Sequence, residues 1–284
     1  MIDQGVVADL TGRDVVDLTP LRGGDVAESF RVTLSDGSIV FAKTHRNPPP
    51  GFFTTEAWGL RWLRDAGSLP VPEVLGVSDE PPLLILEWID EGGRGGSDEA
   101  AFGRALAELH RAGAPCFGRE DRRTTGSRGL PNEPTATWAE FYKTQRLEPL
   151  ARLAADAQAL SPSVVSRLEA VATRLDALGG PPEPPARLHG DLWAGNRLID
   201  RQSRSWLIDP ACHGGHREFD LAMMQLFGGF GPAAYAAYDE AFPLADGWPD
   251  RVPLHQLAPL VVHAIKFGGG YAGAVDQALH SLGA

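Results

Sequence analysis

One segment of the chain constrains its fold and chemistry more than any other, the run of residues that begins His189-Gly190-Asp191. Asn196 follows Asp191 by five positions, and Asp209 comes at the end of a predicted apolar strand. Phosphoryl transfer from a nucleotide uses such a set, because one carboxylate accepts the proton of the attacking hydroxyl while an amide and a second carboxylate hold Mg²⁺ on the phosphates. The alternative interpretation is a hydrogen-bonded turn before a hairpin.

Two residues further upstream fit the same chemistry. Lys43 lies at the end of a predicted strand, and Glu56 lies inside the helix predicted to follow it. A strand lysine clamped by a helix glutamate directs an ammonium group at the α- and β-phosphates of a nucleotide. Taken singly, each residue could be an ordinary surface residue, since a glutamate in a first helical turn is favoured by the helix dipole. Their order before the Asp191 segment favours the functional interpretation.

Weaker signals complete the predicted nucleotide site. Gly23 and Gly24 lie in a predicted turn where glycine would let the backbone approach a phosphate, although an ordinary β-turn explains them equally well. Glu87 and Ile89 lie where a connector between two lobes would present main-chain groups to adenine. Trp88, between them, is predicted to pack rather than to take part in the chemistry.

The segment after Asp209 is dense in polar residues, and two interpretations of it stay open. Some of these side chains could contact substrate, or they could form a structural network behind the catalytic loop. Asp220 opens an apolar helix, so we expect it to cap that helix or to brace the backbone near His189. His216 fits both interpretations equally. A zinc site built on His213 and His216 is not expected, because zinc needs more ligands at better spacing.

Hydrophobic periodicity predicts two lobes. Residues 1–88 contain short alternating runs, the hairpin signal Ser35-Asp36-Gly37-Ser38 and one helix that Thr54 or Thr55 would cap. From about residue 97 the period becomes helical. We therefore predict a small β-rich nucleotide-binding lobe over 1–88 and a larger, mainly helical catalytic and substrate-binding lobe over 89–284. A cleft between the two lobes is the expected place for the nucleotide.

Composition limits the possible partners and location. A net charge of −11 argues against nucleic acid as the main partner, since phosphate backbones are bound by basic surfaces. We expect no secretory signal, because the first residues combine no basic and apolar regions, and no membrane span, because no run of about 18 apolar residues occurs. Cys116 and Cys212 match no metal or redox motif, so free thiols in a reducing cytoplasm are expected. The oligomeric state stays open, with a monomer as the expectation.

Several longer motifs are narrower than the catalytic set itself. They are Leu192-Trp193-Ala194-Gly195-Asn196, Gly215-His216-Arg217-Glu218-Phe219-Asp220-Leu221-Ala222 and Leu226-Phe227-Gly228-Gly229-Phe230. The segment His263-Ala264-Ile265-Lys266-Phe267-Gly268-Gly269-Gly270-Tyr271 accompanies them. With these motifs the chain resembles the fructosamine kinase (ketosamine 3-kinase) family, which is related to the aminoglycoside phosphotransferases. The resemblance extends over essentially the whole chain.

The resemblance implies a fold and an activity. The fold would be an α+β, bilobal, protein-kinase-like fold with a small β-rich N-lobe and a larger helical C-lobe. The activity would be that of an ATP- and Mg²⁺-dependent kinase that phosphorylates the 3-hydroxyl of a ketosamine, a fructosamine or ribulosamine. The phosphorylated product would then break down and release the amine, which repairs a glycated protein or a glycated small molecule.

The resemblance also assigns a role to each residue of the catalytic set. Asp191 would be the base that receives the hydroxyl proton. Asn196 and Asp209 would bind Mg²⁺, and Lys43, paired with Glu56, would hold ATP.

Three further residues are candidates for contact with the substrate. Trp193 and His263 would form parts of the sugar pocket, and His216 is kept as a third candidate.

Two other functions stay open at this point. One is phosphorylation of another small hydroxyl compound, such as an aminoglycoside or choline, with which the negative net charge agrees equally well. The other is a nucleotide-binding pseudokinase that serves as an interaction module. The narrow motifs favour ketosamines over the first, and the five occupied catalytic positions count against the second.

Overall fold

The computed structural model describes residues 2–21, 27–92, 98–125 and 129–284, and the chain divides into two compact units. The first unit comprises residues 1–98, 125–129 and 195–212, and the second comprises residues 99–124, 130–194 and 213–284. The segment that carries Asn196 and Asp209 thus belongs to the first unit, although it follows most of the second unit along the chain. The lobe boundary after residue 88, and a nucleotide cleft, stay predictions.

An antiparallel sheet is the framework of the first unit. The strands of the described chain are β1 (Val15–Leu21), β2 (Glu28–Leu34), β3 (Ile39–Thr44), β4 (Val74–Asp79), β5 (Pro82–Glu87), β6 (Ala186–Leu188), β7 (Arg197–Ile199), β8 (Ser205–Leu207) and β9 (His213–Gly215). Among the described residues, the first five form one sheet in the order β1-β2-β3-β5-β4. The predicted hairpin joins β2 to β3, and Gly37 adopts a φ of 84° in its turn.

Burial along the strands explains why these segments pair. In β2 every second residue, Phe30, Val32 and Leu34, is buried, which is the alternation that the sequence shows. In β5 four consecutive residues, 83–86, are buried, because both faces of the sheet are covered there. Helix α1 (Gln4–Thr11) contacts β1 and β4, and helix α2 (Phe52–Asp65) contacts β4 and β5.

Helix α2 begins earlier than predicted. Its N-cap is Gly51, which has a φ of 71°, and both Thr54 and Thr55 lie inside the helix. The predicted threonine cap is therefore wrong. The Thr54 hydroxyl donates a hydrogen bond to the Gly51 carbonyl at 3.2 Å instead of accepting one from a main-chain N–H. Because of this earlier start, Glu56 lies beyond the first helical turn.

Helices dominate the second unit. They are α3 (Glu99–Arg111), α4 (Trp138–Tyr142), α5 (Glu148–Asp156), α6 (Pro162–Ala172), α7 (Leu175–Leu178), α8 (Glu218–Leu226), α9 (Pro232–Ala241), α10 (Trp248–Phe267) and α11 (Gly270–Ser281). A π-helical segment over Lys143–Leu147 joins α4 to α5. Within the described ranges, none of the helices combines the length and apolar character needed to cross a bilayer.

Aromatic packing fixes α10 in the core of the second unit. Trp138, at the start of α4, stacks on Tyr142 with a centroid distance of 5.0 Å. The Tyr142 hydroxyl donates a hydrogen bond to the main-chain oxygen of Leu254 in α10 at 2.8 Å. Because both side chains are buried, this contact positions the long helix whose other end carries His263.

Candidate active site

A short hairpin brings Asn196 and Asp209 together in the first unit. Strands β7 and β8 pair antiparallel, so the residues just before β7 and just after β8 lie at the same end of the hairpin. The Ile208 N–H donates to the Asn196 carbonyl at 3.1 Å, and the Asn196 side-chain amide donates to the Asp209 carbonyl at 3.4 Å. Carboxylate and amide oxygens are ligands that Mg²⁺ accepts. The chemistry of this pair therefore fits the predicted metal.

Lys43 is buried between two carboxylates. Its ammonium nitrogen lies 2.5 Å from Glu56 Oε1 and 2.5 Å from Asp209 Oδ1. Burial alone would lower the pKa of Lys43, but the two carboxylates outweigh burial and hold that pKa above its ordinary value. Burial raises the pKa of Glu56 to about 7, even though the charge of Lys43 opposes this. Lys43 is therefore charged at neutral pH, as a phosphate-binding lysine must be.

Asp209 combines this contact with an unusual backbone conformation. Its φ is +52°, a left-handed region that residues other than glycine rarely adopt. Such strain costs on the order of 1–3 kcal/mol and persists only where the surroundings hold the residue, often at functional sites. Lys43 holds the side chain and Asn196 holds the carbonyl, while the Asp209 carboxylate keeps half of its surface exposed.

Gly59 allows the Asp209 segment to pack closely against α2. A Cβ atom at Gly59 would lie 3.1 Å from Cys212 Sγ and 3.3 Å from Pro210 Cγ. The Cys212 thiol lies 3.5 Å from the Gly59 carbonyl, to which it donates a hydrogen bond. Close packing at this point fixes Glu56 and Asp209 around the same lysine.

In the second unit, Asp220 holds the main chain that precedes Asp191. Its carboxylate accepts the N–H of His189 at 2.7 Å and the N–H of Gly190 at 2.9 Å. The Asp191 N–H in turn donates to His189 Nδ1 at 3.2 Å. The prediction that Asp220 braces the backbone near His189 is therefore confirmed.

A buried histidine supports this brace from α3. His110 Nε2 lies 3.2 Å from the Asp220 carboxylate, and His110 Nδ1 lies 2.7 Å from the Tyr238 hydroxyl. Burial would raise the pKa of Asp220, but His110, His189 and the Gly190 N–H outweigh it and hold that pKa below its usual range. The brace is therefore a carboxylate that is charged at neutral pH, with its partners fixed around it.

The first two substrate candidates lie at the surface of the second unit. Trp193 is 38% exposed and meets Phe227 edge-on at a centroid distance of 5.8 Å. His263 is half-buried on α10, and its Nδ1 lies 2.8 Å from the Pro259 carbonyl. Because that oxygen can only accept, Nδ1 carries a proton. Contact of either residue with substrate stays a prediction.

The third substrate candidate, His216, is buried instead. Only 3% of its surface is exposed, and its ring stacks on His255 at 5.2 Å. Burial, together with neighbouring His255, lowers the pKa of His216 to about 4. Its Nδ1 accepts the Glu218 N–H at 3.3 Å. These contacts favour the structural interpretation, and a substrate role for His216 is not carried forward.

Two neighbours of His216 form buried ion pairs that the sequence did not reveal. Arg217 donates to both oxygens of Glu183 at 2.7 Å. Glu218 accepts hydrogen bonds from Arg251 at 2.5 and 2.8 Å. The structural-network interpretation of this segment is therefore confirmed for Arg217 and Glu218. Their partners lie 34 and 33 residues away along the chain, so the spacing of residues in the sequence could not predict these ion pairs.

Four other residues are predicted to contact ATP, and the structure describes two of them. Glu87 ends β5, where its N–H donates to the Glu73 carbonyl at 2.9 Å, and Ile89 follows as a half-buried residue outside the strand. Gly23 and Gly24 lie outside the described residues. Contact of these four residues with ATP stays a prediction.

Known proteins with similar sequences extend over almost the whole chain. A protein from Enterococcus faecium assigned as a ketoamine kinase is 37% identical over 283 residues, 98% of this chain and 99% of the relative. A chloroplastic protein-ribulosamine 3-kinase from Arabidopsis thaliana is 34% identical over 242 residues, 84% of this chain and 74% of the relative.

Solved structures give the same picture. A Thermobifida fusca protein assigned as a fructosamine-3-kinase superposes with a TM-score of 0.91 at 43% identity, covering 99% of this chain and 98% of that one. A choline kinase from Streptococcus pneumoniae gives a TM-score of 0.64 at 16% identity, covering 99% and 97%, which concerns the fold alone. The predicted protein-kinase-like fold, with a sheet in its N-terminal region and mainly helices towards the C-terminus, is confirmed. The profile of the family described as fructosamine kinase matches residues 4–284, and the chain belongs to this family.

Proposed function

We propose that this protein transfers the γ-phosphate of ATP to the 3-hydroxyl of a small ketosamine such as a ribulosamine. Membership of the fructosamine kinase family supports a kinase that acts on a ketosamine hydroxyl. The observation that carries the proposal is the burial of Lys43 between Glu56 and Asp209, because this cluster matches the cation and carboxylates that position a nucleotide.

On the nucleotide side, charge placement is the main contribution of the protein. Lys43 would bind the α- and β-phosphates while Glu56 keeps its ammonium aimed at them. Asn196 and Asp209 would hold Mg²⁺, which neutralises charge on the phosphates when bound. Gly59 keeps α2 and the Asp209 segment in contact, so that both carboxylates stay on the same lysine.

On the acceptor side, Asp191 would act as general base. The O–H bond of the sugar hydroxyl breaks as its oxygen bonds to the γ-phosphorus, and the proton passes to the Asp191 carboxylate. The bond from the γ-phosphorus to the bridging oxygen breaks, and ADP leaves with that electron pair. Asp220 acts only through the backbone, since it fixes the turn from which Asp191 projects.

The sugar itself would pack against Trp193. An exposed indole offers an apolar face to the C–H groups of a sugar, while polar groups select the hydroxyl that faces the base. That selection matters, because misplacement by about 1 Å can cost on the order of 10²-fold in rate.

A panel of substrates tests the proposal. ADP release would be measured with ribulosamine, fructosamine, kanamycin and choline under identical Mg²⁺·ATP concentrations. We expect a ketosamine to give the highest kcat/KM. A higher kcat/KM for kanamycin or choline would overturn the proposal. If no acceptor raised ADP release above the rate measured without acceptor, the result would favour a nucleotide-binding module.

A further inference from the structure

A series of ring contacts leads away from the catalytic segment on the second unit. Trp193 meets Phe227 at a centroid distance of 5.8 Å, and Phe227 meets His263 at 4.9 Å. His263 then contacts Phe267 at 5.5 Å and Tyr271 at 5.1 Å. Trp193 and Phe267 are 38% and 49% exposed. These five residues are called the aromatic strip below.

Two pairs of glycines form backbone turns directly after two residues of the aromatic strip. Gly228 and Gly229 follow Phe227 with φ values of 69° and 88°, and Gly268 and Gly269 follow Phe267 with φ values of 63° and 60°. The second pair turns the chain from α10 into α11, where the rings of Phe267 and Tyr271 lie 6.1 Å apart. Both pairs belong to motifs that the proposed phosphoryl transfer does not use.

The first glycine pair also ties the strip to the catalytic segment. A Cβ atom at Gly229 would lie 2.3 Å from the Cβ of Ala194, the residue after Trp193. Only glycine therefore permits this approach, and the strip is continuous with the proposed sugar wall. A single sugar ring covers about one aromatic ring, so the rest of the strip is larger than the sugar requires. Phe267 is 49% exposed, so its ring is open to a part of the substrate beyond the sugar.

We propose that the strip beyond Trp193 binds the amine-borne part of the ketosamine, and that the enzyme prefers substrates whose amine carries an apolar chain. The inference rests on the proposed function, which places the sugar between Asp191 and Trp193. The substrate ammonium would then lie against Phe227, because the face of a phenyl ring attracts a cation.

The far end of the strip suits a neutral chain. The Lys266 ammonium already lies 4.7 Å from the centroid of the Phe267 ring. A second cation there would be repelled, whereas methylene groups gain from covering the exposed faces of Phe267 and Tyr271. The strip therefore selects an ammonium next to the sugar followed by an apolar chain.

Two ketosamines that share one sugar test the inference, N-methyl ribulosamine and N-hexyl ribulosamine. The wild-type enzyme is expected to prefer the N-hexyl compound through a lower KM. Phe267→Ala should reduce this preference, measured as the ratio of the two kcat/KM values, by at least about fivefold. Trp248→Ala, a half-buried aromatic at the opposite end of the same helix, is the matched control and should keep the ratio.

The possible outcomes separate the two proposals. If the wild-type enzyme phosphorylates neither compound, the proposed function is wrong. If it phosphorylates both and Phe267→Ala leaves the ratio unchanged, the inference about the strip is wrong. Sedimentation velocity on the same variants tests the alternative that the aromatic strip binds a second copy of this chain. A Phe267→Ala variant that loses a dimer while keeping the ratio would show an interface between copies and overturn the inference.

Discussion

Individual charged side chains carry the proposed chemistry, and each one is held by partners that the fold supplies. Lys43 has Glu56 and Asp209 on either side, whereas Asp191 depends on a turn whose N–H groups are held by Asp220. Substitutions at these positions should therefore separate binding of the nucleotide from transfer of the phosphate.

Asp191→Asn should abolish turnover while leaving nucleotide binding largely intact. The amide keeps the size of the side chain but cannot accept the hydroxyl proton, and a positioned base is worth on the order of 10²–10⁴-fold in rate. Single-turnover phosphorylation and calorimetric titration of Mg²⁺·ATP would measure the two effects. A variant whose phosphoryl-transfer step keeps most of the wild-type rate would exclude Asp191 as the base.

Asp209→Ala should lose Mg²⁺-dependent ATP affinity and activity together. The carboxylate would link the metal to the phosphates, and water cannot replace its charge. Calorimetry with ATP, at several Mg²⁺ concentrations, measures the affinity. Asp156→Ala, on the exposed face of α5, controls for the loss of one carboxylate. Wild-type affinity in Asp209→Ala would mean that the metal binds elsewhere.

At the scale of single residues, the sequence predicts which residues belong to the site better than it predicts which of them contact each other. Lys43 and Glu56 follow from the order of residue types along the chain, and the structure pairs them at 2.5 Å. The direct contact between Lys43 and Asp209 joins residues 166 positions apart, which no local spacing could suggest. His216 illustrates the same limit, because its burial depends on helices that pack over it.

At the scale of secondary-structure elements, the packing of α2 against the Asp209 segment is the contact on which the nucleotide site depends. Gly59→Val should lower the free energy of unfolding by about 1–3 kcal/mol, because the added carbons overlap Cys212 and Pro210. The same change should weaken ATP binding, since it moves Glu56 relative to Asp209. Chemical denaturation and calorimetry would measure both effects.

The matched control for this change lies in another helix. Gly273 is a helical glycine of α11 with no atom within 4 Å of an added Cβ, so Gly273→Val makes the same chemical change in open space. ATP affinity should be unaltered in this control. Equal effects of the two substitutions on ATP affinity would show that ATP binding does not depend on the contact between α2 and the Asp209 segment.

Periodicity predicted the long elements and missed the short ones. The β2–β3 hairpin, helix α2 and the helical period from about residue 97 are confirmed, because their apolar residues repeat over enough positions to define a face. Helix α1 spans 8 residues, and β4 includes a glycine and a register shift against β5, so neither has a clear pattern. The π-helical segment at Lys143–Leu147 was also missed, since it changes hydrogen bonding without interrupting the helix.

For the molecule as a whole, buried ion pairs determine how stability depends on pH. Burial would raise the pKa of Glu218, but hydrogen bonds from Arg251 and the neighbouring His255 ring lower it to about 2 from its ordinary 4.5. Because the folded pKa lies below the unfolded one, this stabilisation is complete above about pH 4.5 and is lost as the pH falls towards about 2. Acid unfolding should therefore set in over this window.

Glu218→Gln tests this assignment. The amide leaves the Arg251 guanidinium buried without its countercharge, so the variant should unfold at lower urea concentration than the wild-type protein at pH 7. The difference between the two midpoints should shrink as the pH falls below about 4.5, because Glu218 of the unfolded wild-type chain then binds a proton while the folded carboxylate stays charged down to about pH 2. A difference that stays constant from pH 7 to pH 3 would contradict the lowered pKa.

The fold as a whole was easier to predict than the substrate surface. The order of catalytic residue types and the change from alternating to helical periodicity were enough for the fold class. The aromatic strip could not be predicted, because it depends on which faces of α10 and α11 meet after the turn at Gly268 and Gly269. His263 was proposed for substrate contact, but its ring neighbours were not foreseen.

The most direct test of the central claim is to locate the phosphate on the product. Ribulosamine and Mg²⁺·ATP would be incubated with the enzyme, and the product would be analysed by two-dimensional ¹H–³¹P correlation NMR. We expect a correlation between phosphorus and the proton on carbon 3 of the sugar, followed by release of the free amine as the product breaks down. A correlation to the proton of any other carbon, or ATP consumption without a phosphorylated ketosamine, would contradict it.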